Sequence, residues 1–180
     1  EGFDIMKHWV DWCSGAYANL PNFTFRHAEL RSDWYAPEAA VLARDYVFPY
    51  EDHTFDVAFA VSLFTHLMPE EASNYLRETC RVLKPGGRLL ATCYLVNDIN
   101  QGRHAEAVQG SRFTRASDQH WLLDPEHPSR GVAFDEIWLR SEVEAAGMRG
   151  AEIYYGRWAN GQDVLGMLQD CMLIVKPGGV

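Results

Sequence analysis

The sequence predicts an α/β domain: an open, mostly parallel sheet with helices on both faces. Two apolar runs of strand length, Phe55–Val61 and Leu89–Leu95, are nearly continuous, the pattern of strands buried on both faces. Between them Pro69–Leu83 carries apolar residues at helical spacing. Strand-like and helix-like segments then alternate along the chain instead of clustering, which favours parallel strands joined by helical crossovers. All 180 residues are read as one domain.

Met6, Trp9, Val10, Cys13, Tyr17 and Leu20 recur at helical spacing until Pro21, and Trp9 and Trp12 read as core or interface residues. Phe23–Ala28 alternates as a strand and ends at Glu29-Leu30, while Ser32–Tyr46 reads as a loop with a short irregular element. Phe48–Thr54 is a turn. In the helix from Pro69 to Leu83, Ala72, Tyr75, Leu76, Thr79, Cys80 and Leu83 form the apolar face; Pro69, Glu70 and Glu71 suit its first turn. Lys84-Pro-Gly-Gly87 ends it. Residues 97–131 are polar and rich in His, Arg and Asp (His104, Arg112, Arg115, Asp118, His120, His127), a long connection expected to be a solvated lid on the substrate side. Asp135 is the predicted N-cap of a helix running to Ala146-Gly147, with Phe134 stapled onto Leu139. Ile153–Tyr155 and Cys171–Val175 read as the last strands. Lys-Pro-Gly-Gly recurs at Lys176–Gly179, an echo with nothing repeated around it.

The composition excludes several classes. The net charge of -9, with arginines scattered singly, argues against nucleic acid and anionic lipid as partners. The longest apolar runs fall short of the roughly 18 residues that span a bilayer, and no basic start precedes an apolar run, so neither a membrane segment nor a signal peptide is expected. Cys13, Cys80, Cys93 and Cys171 lie far apart with no C-x-x-C pair; they read as reduced thiols of a cytoplasmic protein, and no metal motif such as H-x-x-x-H is present.

Two blocks carry a family likeness. Phe48-Pro-Tyr-Glu-Asp-His-Thr-Phe-Asp-Val-Ala-Phe-Ala-Val, followed by Arg81-Val-Leu-Lys-Pro-Gly-Gly, resembles the class I S-adenosylmethionine-dependent methyltransferases, whose fourth strand is entered through a similar Pro-Phe-x-Asp-x-x-Phe-Asp block and whose fifth follows the second. Gly2-Phe-Asp4 is similar to the end of the family's second strand and Ala28-Glu-Leu30 to the end of its third. Gly156-Arg-Trp158 with Gln169-Asp170 resembles a subset of bacterial members. The family's first strand and G-x-G-x-G loop have no counterpart; no two glycines stand two positions apart in this chain. The resemblance therefore implies a fragment lacking that strand, with a groove in mid-sheet that closes up, dimerises, or takes a strand from elsewhere.

The resemblance implies S-adenosylmethionine as cofactor, S-adenosylhomocysteine as product, and methyl transfer to a small or medium-sized acceptor that is not a nucleic acid. Asp4 would accept hydrogen bonds from the ribose diol, though it reads equally as the N-cap of the helix from Met6. Ile5 would touch the adenine face, against a plain core role. Glu29 would face the adenine amino group, against a solvated loop carboxylate, with the Leu30 amide nearby. Val61 and Ser62 would lie over the cofactor, and Phe64, His66 and Tyr94 on the substrate side. No catalytic residue is assigned; His66 is the one candidate base, against a packing or capping role. A homodimer across the groove is one expected arrangement. The alternative function is an inactive remnant or interaction module without a complete cofactor site. A nicotinamide-dependent oxidoreductase would use Asp4 equally well, but the two blocks are not features of that class.

Overall fold

The computed structural model describes residues 1–98, 100, 112–160 and 166–178. His104 and the rest of 101–111 lie outside them. The chain opens on two short parallel strands, β1 (Gly2–Asp4) and β2 (Phe25–His27), with Asp4 opposite His27. Between them runs α1 (Lys7–Ala16). The Asp4 carboxylate accepts the Met6 amide at 2.7 Å and turns the chain into this helix. Of the face predicted there only Val10 is fully buried, and Trp9 and Trp12 are 56% and 62% exposed. Two three-residue strands are too small a surface to cover a whole helical stripe, so these tryptophans are surface residues, not core. The irregular element expected after Ser32 is β3 (Leu30–Arg31) paired in parallel with β4 (Val41–Leu42), then a 3-10 turn at Ala43–Asp45.

The main sheet begins with β5 (Phe55–Ala60), and α2 (Pro69–Val82) carries the chain across to β6 (Leu83–Cys93). Ala72, Tyr75, Leu76 and Thr79 of α2 are buried as predicted, Cys80 is half-buried and Val82 is buried besides, and the Glu71 carboxylate reaches back to the Met68 amide at 2.8 Å, closing the first turn. Leu83, predicted in the helix, already starts the strand. The chain continues through β7 (Leu95–Val96), β8 (Thr114–Arg115), β9 (His120–Leu122) and β10 (Val132–Asp135) into α3 (Glu136–Ala145), where Asp135 accepts the Trp138 amide at 2.8 Å as the N-cap. Gly147, at φ +83°, ends α3 in the left-handed conformation that favours glycine. β11 (Arg149–Tyr154), the short α4 (Arg157–Asn160) and β12 (Asp170–Val175) follow.

The principal sheet has the order β11-β12-β6-β5. β5 and β6 are parallel, with Phe59 opposite Leu90, and β12 is antiparallel to both β6 and β11, so one strand runs against three. α2 packs on β6, α3 on β11, and the two helices touch. The expectation that β5 is buried on both faces is corrected: Val57, Phe59 and Val61 are 62%, 77% and 60% exposed. Its only partner among the described residues is β6, and its other edge is unpaired. Residues 112–131, expected as an open connection, instead include β8 and β9, which build a second sheet of order β7-β10-β9-β8 with His120, Trp121 and Leu122 buried. The period-2 apolar signal there is too short to stand out among the polar residues.

Two fastenings hold the layers together. Arg81 donates to both Glu78 oxygens, to Asp52 Oδ1 at 2.8 Å and to the carbonyls of Phe48 and Tyr50, pinning the turn before β5 onto α2. The echoed Lys-Pro-Gly-Gly segments meet: Lys176 and Gly87 exchange a bond at 2.9 Å, Gly86 and Lys176 one at 3.0 Å. Lys176 Nζ donates to the Cys80 and Leu83 carbonyls at the end of α2, a favourable place for a cation.

β1 is joined to the core by Phe3, whose ring lies 4.9 Å from Phe48, 5.5 Å from Tyr46 and 6.3 Å from Tyr75. Phe3→Ala is expected to lower the unfolding free energy by about 2–3 kcal/mol in urea denaturation, with the amides of β1 and β2 losing hydrogen-exchange protection before those of β6. Equal loss in both would mean that the two strands do not depend on this ring.

Candidate functional site

In open α/β sheets, ligands bind where parallel strands end. At that edge β1 delivers Asp4 and Ile5, and the adjacent parallel β2 is followed by Glu29 and Leu30. The Ala28 amide donates to the Asp4 carbonyl at 3.0 Å, and a bond of 3.1 Å joins His27 Nε2 to the Ile5 carbonyl, so both strand ends are stitched side by side. Asp4 is exposed, with one carboxylate oxygen engaged by Met6. Glu29 has 84% of its side chain exposed, 4.0 Å from His27 Nδ1. Ile5 is half-buried and Leu30 buried.

Tyr35, in electrostatic reach of Asp4, borders His66. Burial, then the charge of Asp4, push the Tyr35 hydroxyl above its ordinary value; the second cause places Asp4 within electrostatic reach of that ring. His66 ends the 3-10 turn Phe64–His66. Its Nδ1 is 2.9 Å from the Ser129 carbonyl. A carbonyl can only accept, which assigns the proton to Nδ1 and leaves a lone pair on Nε2. That lone pair is 3.4 Å from the Tyr35 hydroxyl. Burial holds the His66 pKa below its ordinary value, against the opposing Ser129 bond, so the ring is neutral near pH 7. Ser129 is itself fixed: its hydroxyl is 2.7 Å from Ser32 Oγ, and its amide donates to Asp33 at 3.1 Å. Phe64, beside His66, is 2% exposed and belongs to the core.

A second group surrounds the turn after β5. Ser62 has φ +55°, a left-handed conformation unusual for a residue with a side chain. Its amide donates to Thr92 Oγ1 at 2.7 Å, its carbonyl accepts from Thr65 Oγ1 at 3.0 Å, and its hydroxyl accepts from Gln169 Nε2 at 3.0 Å. Thr92 donates to Gln169 Oε1 at 2.6 Å. Burial, the larger effect, raises the Tyr94 phenol against the opposing influence of Gln169. Tyr94 is 8% exposed, with its ring 5.0 Å from Trp158 and 5.5 Å from Phe113.

Next to Gln169, Asp170 is fully buried and receives three donors: Gly156 N at 2.8 Å, Leu95 N at 2.8 Å and Trp158 Nε1 at 2.6 Å. Burial outweighs these donors and pushes its carboxyl up to about 6. Position 156 must be glycine, because a Cβ there would run into the carbonyls of Leu168 and Gln169. Thr92, Gln169 and Asp170 are not among the residues singled out from sequence for the site; the Gly156-x-Trp158…Gln169-Asp170 pattern is a signal for the last two, and nothing in the apolar run around Thr92 marks it. Two surface hollows, of about 480 Å³ at Gly147–Gly150 and about 390 Å³ between Arg44, Glu70 and Arg77, lie away from this edge. No cluster of three His, Cys, Asp or Glu able to hold a metal occurs among the described residues.

Residues 2–91 match the family described as a methyltransferase domain. The chain belongs to the class I S-adenosylmethionine-dependent methyltransferases. A methyltransferase of this kind from Methanosarcina mazei is 19% identical and superposes with a TM-score of 0.56, covering 99% of this chain and 82% of that one. The 1,6-didemethyltoxoflavin-N1-methyltransferase of Burkholderia thailandensis, solved with its 1,6-didemethyltoxoflavin and S-adenosylhomocysteine, is 14% identical (TM-score 0.55, 93% of this chain and 56% of that one). The [4+2]-cyclase SpnF is 18% identical (TM-score 0.57, 99% and 66%). At such identities the likeness is one of fold, and the cyclase shows that this fold also carries other chemistry.

The methyltransferase's buried Asp170 has a sign that can be checked. A carboxyl whose folded pKa is raised stabilises the fold at low pH and loses that contribution as pH rises through about 6. Asp170→Asn abolishes the titration and sets an amide against the three donors, so it is destabilising throughout. Its deficit relative to wild type, from urea denaturation, is expected to shrink by roughly 2 kcal/mol between pH 4.5 and 7.5. A deficit that grows over that range would show the donors, not burial, to dominate.

Proposed function

We propose that this methyltransferase domain binds S-adenosylmethionine across the ends of β1 and β2 and transfers its methyl group to a small or medium-sized acceptor that is not a nucleic acid. The observation carrying this reading is the placement of Asp4 and Glu29 at the ends of adjacent parallel strands, with Asp4 in electrostatic reach of Tyr35, which borders His66. The residues fit a nucleoside: an exposed carboxylate for a ribose diol at Asp4, apolar surface at the half-buried Ile5, and an acceptor for an exocyclic amino group at Glu29, with the buried Leu30 packing beneath as core. Val61, exposed after β5, offers backbone groups from the turn that Ser62 shapes. Bound cofactor supplies an electrophilic methyl on a sulfonium; the protein orients the acceptor and excludes water.

His66 is the base in this reading. Its Nε2 lone pair, fixed by the Ser129 carbonyl, takes the proton from an acceptor hydroxyl or amine, while Tyr94 and residues 112–131 form the acceptor's side of the cleft. The charge of -9 disfavours polyanionic acceptors, and the four free thiols favour a reducing, cytoplasmic setting. Among the described residues one edge of β5 is unpaired, and a further strand there, from elsewhere or from a second copy of the chain, would complete the cradle for the cofactor's amino-acid tail. The same open edge favours a second reading, a binding module without a complete cofactor site.

Calorimetry with S-adenosylhomocysteine separates the two. Binding is expected, weakened about tenfold or more in Asp4→Ala, which loses charge-assisted hydrogen bonds. Absence of binding by the full-length protein would favour the binding module. Once an acceptor is in hand, His66→Asn is expected to lower kcat by about 10²–10⁴ without changing S-adenosylhomocysteine affinity. In the wild type kcat/KM should fall only below about pH 6.5, since His66 stays neutral above its depressed pKa. A rate that keeps its acid limb in the variant would remove His66 from the chemistry.

A further inference from the structure

Ser62 is the residue that links the proposed cofactor side to the acceptor side, and its conformation is held from outside its own strand. A serine at φ +55° is disfavoured by roughly 1–3 kcal/mol unless its surroundings over-determine it. Here each of its three polar groups is engaged by a side chain: the amide by Thr92 of β6, the carbonyl by Thr65, and the hydroxyl by Gln169 at the entry to β12. Two of these holders also bind each other, Thr92 to Gln169 at 2.6 Å. Gln169 is in turn positioned by its neighbour. Asp170 ties the first residue of β12 to Gly156, to Trp158 and to the amide following Tyr94, and the missing Cβ at Gly156 lets that segment close onto the Gln169 carbonyl.

We infer that Gln169 is a positioning residue of the methyltransferase: through Thr92 and the Ser62 hydroxyl it holds the Val61–Ser62 turn in the left-handed conformation that presents it to the cofactor. This rests on the cofactor reading above. The hydrogen bookkeeping is consistent with it. Thr92 spends its proton on Gln169 Oε1 and receives the Ser62 amide. The amide group of Gln169 donates to Ser62 Oγ. One side chain therefore bridges the turn after β5 and Thr92 of β6. The Gly-x-Trp…Gln-Asp pattern gains a physical role: the glycine and aspartate build the clasp, the glutamine does the holding.

The test uses S-adenosylhomocysteine affinity in the full-length protein, with thermal denaturation as the check on folding. Gln169→Leu removes the amide at similar size and is expected to weaken binding about tenfold. Thr92→Val, which removes the acceptor of the Ser62 amide, should weaken it similarly, and the double variant should be little worse than either alone. Ser62→Gly supplies the distinguishing measurement. Glycine adopts positive φ without help, so in a Ser62→Gly background Gln169→Leu should cost less than twofold. A general packing role would not be rescued in this way. Should Gln169→Leu fail to fold, Thr92→Val in the two backgrounds gives the same comparison. Unchanged affinity in the Gln169 and Thr92 variants, or an equal loss with serine and glycine at 62, overturns the inference while leaving the cofactor reading standing. No binding by the wild type overturns both.

Discussion

The site depends on the parallel pairing of β5 with β6. Parallel strands leave a sheet at the same edge, and the crossover through α2 makes that pairing obligatory here. Val61-Ser62 and Tyr94 are thus neighbours in space although more than thirty residues apart in sequence. The antiparallel β12 then starts where β6 ends, with Asp170 opposite Cys93, and so delivers Gln169 and Asp170 to the same edge. A sheet with β12 parallel would have put its first residues at the far end, away from Ser62.

Around that pairing the fold is firm in one half and open in the other. Buried leucines and aromatics of α2, β6, β10 and α3 form one continuous core, and Arg81 and Lys176 clamp turns onto the end of α2. β1 and β2 reach the same core chiefly through aromatic contacts of Phe3. The unpaired edge of β5, with Val57 and Phe59 exposed, lies on the side away from β6. The firm half holds His66, Ser62 and Tyr94; the carboxylates belong to the lightly attached half. Such an arrangement makes the side proposed for the nucleoside the more easily displaced part of the site.

Much of this was legible in the residues. The amphipathic stripe of α2, the Asp135 cap and the β6 run were visible because each is a strong local signal. β5 misled, because an apolar run specifies a strand but not what covers it; Phe59 is as apolar as Leu89 and yet exposed. β8 and β9 were missed because two- and three-residue strands have no period to detect. The positions of Asp4, Glu29 and His66 came from a resemblance and could be named in advance. Their partners could not: the Ser129 carbonyl that sets the His66 tautomer is a backbone atom 63 residues away. Asp170 looked like an ordinary strand residue, since nothing in its neighbours says that three donors from distant segments converge on it.

The most direct test is to locate the ligand. In backbone amide NMR spectra of the protein titrated with S-adenosylhomocysteine, the largest shifts should fall on Asp4, Ile5, Glu29, Leu30 and Ser62, with Arg149, Gly150 and the far end of β11 unmoved. Shifts confined to that far end, or spread with no preference for the ends of β1 and β2, would contradict the placement of the nucleoside and the account built on it.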